Sequence, residues 1–321
     1  MNSKLFLISL SFTILCDLAD SNNGRIYGGN EIDITEAPYI VSITIVIEEL
    51  DNGTTIVHEC GGSILRTNLI LTAAHCNVDE EHRQHQYKAE QFYVSVGTNT
   101  KELTGGVTHT VKTVFTHPKF QNGDVYHDVG LLELDEDIEL NDKAQLVELA
   151  NREDRPEEGA DFIITGYGKN PDAPHSQKLY QVHLNVITAK DCVAELEGGT
   201  VEDVDQHLIC VQAPGKNQCQ GDSGSPILDT STNRQVGIVS HGASDCSSDS
   251  PSALTRVTDN LDYIEEIISK TSPSARSEVS QRGRPVYSFP DFSRDFSRMM
   301  DMLSWLTGKM IDFAKGLLTK K

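Results

Sequence analysis

From about residue 37 to residue 270 the chain alternates short β-rich runs with clusters of Gly, Pro, Asn and Asp. The runs are Tyr39–Ile47, Thr55–His58, Ser63–Leu65, Leu69–Thr72, Phe92–Val96, Thr108–Thr116, Val129–Leu134, Phe162–Thr165, Tyr180–Val186, Pro226–Leu228 and Gln235–Ser240. Many short strands at such spacing predict an antiparallel barrel or sandwich. Helical periodicity emerges only late: Leu261, Ile264, Ile267 and Ile268 recur at helix-like intervals and predict a short closing helix over Asn260–Ser269.

The two ends follow different patterns. Lys4 precedes an apolar run from Leu5 to Cys16, too short to span a bilayer and placed where an export signal sits, so residues 1–19 are read as a signal peptide. Residues 271–290 are rich in Ser, Arg and Pro and predict a linker. In residues 291–321, Phe292, Phe296, Met299, Leu303, Leu306, Met310, Phe313 and Leu317 step alternately by four and three, the seam of an amphipathic helix whose other face carries Arg294, Arg298, Lys309 and Lys315. Self-association, contact with a membrane surface, or docking on the chain's own body are the roles open to it.

Composition narrows the class. The chain has seven cysteines, and removing Cys16 with the signal leaves an even set at 60, 76, 192, 210, 219 and 246, suited to disulfides in an oxidising compartment. A formal net charge of −21 argues against a nucleic-acid partner, because a polyanion would be repelled. Asn52-Gly53-Thr54 is a glycosylation sequon on a predicted loop. The pair His82 and His85 lies on a charged loop without further ligands, and neither metal nor cofactor is expected.

Three segments each supply one reactive group. Leu71-Thr72-Ala73-Ala74-His75-Cys76 sets a histidine at the end of a strand, Tyr126-His127-Asp128-Val129-Gly130-Leu131-Leu132 sets an aspartate before a buried strand, and Gly221-Asp222-Ser223-Gly224-Ser225-Pro226 sets a serine in a glycine-rich turn. A serine hydroxyl is a poor nucleophile at neutral pH, so an imidazole must take its proton, and a carboxylate must orient that imidazole and stabilise its cation. His127, beside Asp128, is read as a spectator.

With these motifs in the order His, Asp, Ser, the chain resembles the chymotrypsin and trypsin family of serine endopeptidases over residues 26–270. The resemblance implies an all-β fold of two six-stranded antiparallel Greek-key barrels with a short closing helix, to which this chain adds its C-terminal amphipathic helix. It implies catalysis by His75, Asp128 and Ser223, with an oxyanion hole from the N–H groups of Gly221 and Ser223. It implies pairing of Cys60 with Cys76, Cys192 with Cys210, and Cys219 with Cys246, a three-bridge set of invertebrate type. Arg25-Ile26-Tyr27-Gly28-Gly29 resembles the family's activation site, with residues 20–25 as the activation peptide; cleavage by an activating protease would free the Ile26 amine to pair with Asp222.

The same resemblance assigns protein or peptide substrates and a pocket for the side chain preceding the cut bond. Asn217, followed by Gln218, stands at the floor where trypsin-like members carry aspartate, and Gly242 and Ser252 form the walls. A neutral floor disfavours a buried Lys or Arg and predicts chymotrypsin-like or broad taste, unless Asp245 or Asp249 reaches the rim. Ser240-His241-Gly242 would pair with an extended substrate through backbone, and His241 stands where the family generally has tryptophan. Thr98 stands where calcium-binding members carry glutamate. A catalytically inactive homologue that acts as a binding protein is the competing expectation.

Overall fold

The computed structural model describes residues 28–50, 55–79, 85–101, 106–121, 125–169, 178–195, 200–242 and 250–272. The expected signal peptide, the activation site Arg25-Ile26, Asn52, His82, Asp245, Cys246, Asp249, the linker beyond Ser272 and the C-terminal helix lie outside the described residues.

Among the described residues there are thirteen strands, twelve of which build two barrels. The edge strand β1 (Asn30–Glu31) is followed by the six strands of the first barrel: β2 (Ile40–Glu49), β3 (Thr55–Arg66), β4 (Leu69–Thr72), β5 (Phe92–Val96), β6 (Val107–Thr116) and β7 (Gly130–Leu134). They close in the order β2-β3-β4-β7-β6-β5, every pair antiparallel. The second barrel takes β8 (Asp161–Gly166), β9 (Tyr180–Val186), β10 (Leu208–Gln212), β11 (Pro226–Asp229), β12 (Arg234–His241) and β13 (Ser252–Arg256). Here the order is β9-β10-β13-β12-β11-β8, the pairing of β8 with β9 closes the ring, and β1 adds to the outer edge of β9.

The period-two pattern sets the faces. In β9, Tyr180, Val182, Leu184 and Val186 are buried in the second barrel's core while His183 and Asn185 are exposed. In β2, Val41, Ile43 and Ile45 enter the first barrel's core, whereas Ile40 joins Ile34, Ala37, Tyr167 and Leu179 in a separate cluster. All four residues of β4 are buried, so both faces of that strand are covered and each large apolar side chain contributes about 1.5–3 kcal/mol of burial.

Two strands expected separately, Thr55–His58 and Ser63–Leu65, are one continuous β3. The intervening Cys60-Gly61-Gly62 reads as punctuation, but the glycines are there because neighbours press on them: a Cβ at Gly61 would meet Ser225 Oγ and one at Gly62 would meet the Ile70 side chain. Helices occur earlier than the periodicity suggests. Ahead of the closing helix α3 (Leu261–Lys270) come α1 (Ala189–Glu195) and α2 (Val201–His207), seven residues each and too short to show a 3.6-residue repeat. Both are marked by a Thr-x-x-Asp start: Thr188 Oγ1 accepts from Asp191 N at 3.1 Å, and Thr200 Oγ1 from Asp203 N at 3.1 Å.

Helix α3 buries Leu261, Ile264 and Ile267 against the first barrel, although the chain reaches it from the second. Cys60–Cys76 and Cys192–Cys210 are bridged, and Cys219 is also disulfide-bonded, its expected partner lying outside the described residues. No helix among the described residues is long and apolar enough to cross a membrane.

Candidate active site

The end of β4, the turn before β7, the loop before β11 and the end of β12 bring the three motifs together at the junction of the barrels. His75 opens a single helical turn, His75–Asn77, that directly follows β4 and is tied to β3 by the Cys60–Cys76 bridge. Asp128 follows His127, whose backbone sits at φ 56°, and the turn is closed by Val129 N donating to His127 O at 2.7 Å. A left-handed histidine is strained unless its neighbours hold it, and here they place the next residue's carboxylate inside the protein.

Asp128 is completely buried. Its Oδ1 accepts from the His75 backbone N–H at 2.8 Å, and its Oδ2 lies 2.7 Å from His75 Nδ1. Because an ionised carboxylate only accepts, Nδ1 carries the proton and Nε2 holds the lone pair of the neutral ring. The Ser240 hydroxyl donates to the same Oδ2 at 2.6 Å, and Ser240 Oγ lies 2.7 Å from His241 Nδ1. Burial alone would push the Asp128 carboxyl up, but the charge and hydrogen bonds of His75 with the bond from Ser240 outweigh it and hold the group below the usual carboxylate range. His75 itself is partly exposed and meets the His241 ring edge-on at a centroid distance of 6.1 Å.

Ser223 lies on a turn shaped by two glycines, Gly221 at φ +93° and Gly224 at φ +80°. The second position admits no side chain: a Cβ on Gly224 would run into Thr72 Oγ1 and Gly61 O. That close approach brings the serine turn against the strand end that carries His75. Further bonds fix it there, with Gly61 N donating to Ser223 O at 2.7 Å and Gly224 N to Val239 O at 2.8 Å. Asp222 is completely buried; its carboxylate accepts from Gly168 N at 2.8 Å and from Cys219 N at 2.9 Å. A cavity of 360 Å³ opens beside Ser223 and Gly221, walled by Val57, His58, Glu59, Lys169 and Gln220.

Asn217 is buried behind this turn. Its Oδ1 accepts from Ser252 Oγ at 2.6 Å and from Gln218 N at 2.9 Å, while its Nδ2 donates to Ser250 O at 3.0 Å. The Gln218 side chain packs so closely on Gly242 that a Cβ there would overlap its amide. The expected pocket residues Asn217, Gln218, Gly242 and Ser252 are thus neighbours. Ser240, expected to serve substrate through its backbone, also anchors Asp128 through its hydroxyl. The sequence carries a cue to this second contact, since a hydroxyl that directly follows the apolar run Gly237-Ile238-Val239 in a buried strand requires a partner. His127 turns away from the pair: its Nδ1 bonds Asn260 Oδ1 at 3.1 Å.

Among the described residues two clusters offer several metal-ligating side chains. In one, His58 with Cys60 and Cys76, both sulfurs are committed to the disulfide. The other, His127 with His207 and Asp259, is taken up below.

A buried carboxylate hydrogen-bonded to an imidazole, and a serine on a tight glycine turn packed against the strand end that precedes that imidazole, thus lie where the two antiparallel barrels meet. Residues 26–264 match the trypsin family model. Among characterised relatives, the chain is 30% identical to "Trypsin 5G1" of Aedes aegypti over 77% of its own length and 86% of that protein's. It is 33% identical to "Trypsin" of Simulium vittatum (72% and 88% of the two chains) and 33% identical to "Hypodermin-A" of Hypoderma lineatum (71% and 81%). The chain belongs to the trypsin family and is a serine endopeptidase.

Proposed function

We propose that the endopeptidase acts through Ser223 as nucleophile, His75 as general base and then acid, and Asp128 as the group that fixes the imidazole. By the scheme of trypsin-like proteases, Nε2 of His75 takes the Ser223 proton as Oγ attacks the scissile carbonyl. The tetrahedral oxyanion is met by the N–H groups of Gly221 and Ser223, and the imidazolium returns its proton to the leaving amine. Water then repeats the sequence on the acyl-enzyme. The observation that carries this reading is the 2.7 Å pairing of His75 Nδ1 with a carboxylate shut away from water, which selects the tautomer the reaction needs.

The precursor reading rests on Asp222. A completely buried carboxylate directly before the candidate nucleophile is where a new ammonium would act, so cleavage at Arg25-Ile26 by an activating protease and insertion of the Ile26 amine would complete the oxyanion hole. Disulfides and the apolar leader support secretion. The pocket reading rests on Asn217, whose neutral amide is already engaged by Ser252, Gln218 and Ser250; it supports uncharged side chains at the cut bond over a strict Lys or Arg preference.

The test is a fluorophosphonate probe applied before and after limited trypsin treatment. Labelling is expected only after treatment, on a chain whose new N-terminus is Ile26, and it is expected to vanish in Ser223→Ala and fall steeply in His75→Ala. A treated chain that stays unlabelled would refute the catalytic reading in favour of a binding protein.

A further inference from the structure

On the side of the Asp128 turn remote from His75, three side chains from three elements converge. They are His127, His207 at the end of α2, and Asp259 in the helical turn Thr258–Asn260 that leads into α3. One donor atom from each lies within 4.8 Å of the others, and all three residues are partly buried. We infer that these three residues form a divalent-metal site of the zinc class, and that its occupancy bears on the Asp128 turn.

The protonation pattern suits ligation. Asn260 Nδ2 donates to Arg256 O at 2.8 Å, which turns the amide oxygen toward His127. His127 Nδ1 therefore carries the proton, and its Nε2 presents a lone pair; the bond to Asn260 orients the ring as a metal-binding imidazole is oriented. His207 Nδ1 lies 2.7 Å from Asp259 Oδ2. A cation at this point takes a carboxylate oxygen and the Nδ1 lone pair of His207 together; the proton at Nδ1 is given up to solvent while Nε2 takes one, so the ligating ring stays neutral.

Neighbours hold the rings without competing for the ion. His117 stacks on His127 at 4.7 Å with planes 7° apart, and the His207 ring meets His127 edge-on at 5.3 Å. His117 spends its Nδ1 lone pair on Lys119 N–H at 3.2 Å, so it acts as a wall.

Two imidazoles and one carboxylate, with water in the fourth place, are a donor set for Zn²⁺ and related borderline ions; Ca²⁺ and Mg²⁺ prefer oxygen alone. Tetrahedral bonds of about 2.0–2.1 Å put ligand atoms roughly 3.3 Å apart. From a spread within 4.8 Å, that closure needs only small side-chain rotations. His127 has little room to rotate without its backbone, which already sits at φ 56° and directly precedes Asp128. Drawing its ring toward a metal therefore pulls on the carboxylate that orients His75. The predicted effect, which rests on the catalytic reading above, is slower hydrolysis when the metal is bound.

Binding is measured first, on the full chain after activation cleavage, by titration of Zn²⁺ against a chromophoric chelator and by the visible spectrum with Co²⁺. The expected result is one ion per chain and an intense four-coordinate Co²⁺ band. In His207→Gln and Asp259→Asn affinity should fall about a hundredfold, with far-UV dichroism and untreated activity unchanged. Peptide hydrolysis is then followed with Zn²⁺ and with chelator. Inhibition in the wild type that is reversed by chelator and absent in His207→Gln supports the coupling. Equal Zn²⁺ affinity in wild type and both variants, or no binding, overturns the site; binding without any change in turnover overturns the coupling. A chain that binds zinc at these residues but never takes the fluorophosphonate probe would leave the site standing and remove the catalytic reading.

Discussion

On the proposed pocket reading, replacing Asn217 with aspartate changes one atom type at the pocket's base and should change which bond is cut. In the native protein a substrate guanidinium or ammonium that enters meets an amide already engaged by Ser252, Gln218 and Ser250, and no carboxylate among the described pocket residues. A cation buried without its counter-charge stands about 3–5 kcal/mol worse than one with it, so Asn217→Asp should raise kcat/KM for Arg substrates by roughly 10²–10⁴-fold relative to Leu or Phe substrates. The donors Ser252 Oγ at 2.6 Å and Gln218 N at 2.9 Å continue to serve Oδ1, but Ser250 O, now 3.0 Å from a donor, would face an acceptor. That lost bond should lower stability by about 1–3 kcal/mol. The assay is paired chromogenic peptides differing only in the residue before the cut, with urea unfolding alongside. Native enzyme that already favours Arg over Leu and Phe a hundredfold would refute the reasoning, as would an unaltered ratio in the variant.

Other outcomes follow from the same geometry. Ser240→Ala removes a hydroxyl bonded to a buried carboxylate, a loss of about 1.5–3 kcal/mol, and peptide kinetics should show kcat/KM falling roughly 10–100-fold with KM little changed. Gly224→Ala forces a side chain onto Thr72 Oγ1 and Gly61 O at a left-handed position, so probe labelling of Ser223 should be abolished and the urea midpoint lowered. Asp33 is held at about 2, from an ordinary 3.8, by bonds from the Thr35 hydroxyl and backbone N–H and from Asn99. Its contribution to stability is therefore full above about pH 4 and lost as pH falls through about 2, so the gap in urea midpoint between wild type and Asp33→Ala should be present at pH 5 and close near pH 2. A constant gap across that range would show that the carboxylate's charge is not involved.

How far the chain could be read without coordinates depends on the range of the signal. β4, β5 and β9 are legible to the residue because alternation or uninterrupted apolarity runs their whole length. β10 and β13 are not, since Leu208–Gln212 and Ser252–Arg256 become strands through pairing with each other, and β13 also with β12. Among the site residues, the motifs around His75, Asp128 and Ser223 announce themselves by local composition. The hydroxyl of Ser240 reaches Asp128 across 112 positions, and His127 meets His207 and Asp259 only in three dimensions. Contacts of that kind leave no trace in local periodicity, so a histidine read as a spectator beside the proposed catalytic aspartate becomes one corner of a three-residue cluster.

The seating of α3 has a consequence for how the molecule comes into being. Arg66 Nη1 bonds Ile268 O at 3.1 Å across 202 positions and Asn68 Nδ2 bonds Thr271 O at 3.3 Å across 203, so the half of the body synthesised first is finished by residues made some two hundred positions later. A nascent chain emerging from the ribosome must hold a first barrel whose strands are all present but whose α3-facing surface stays open to solvent until that helix arrives. Such wide separations make for slow folding and an interval of vulnerability to aggregation.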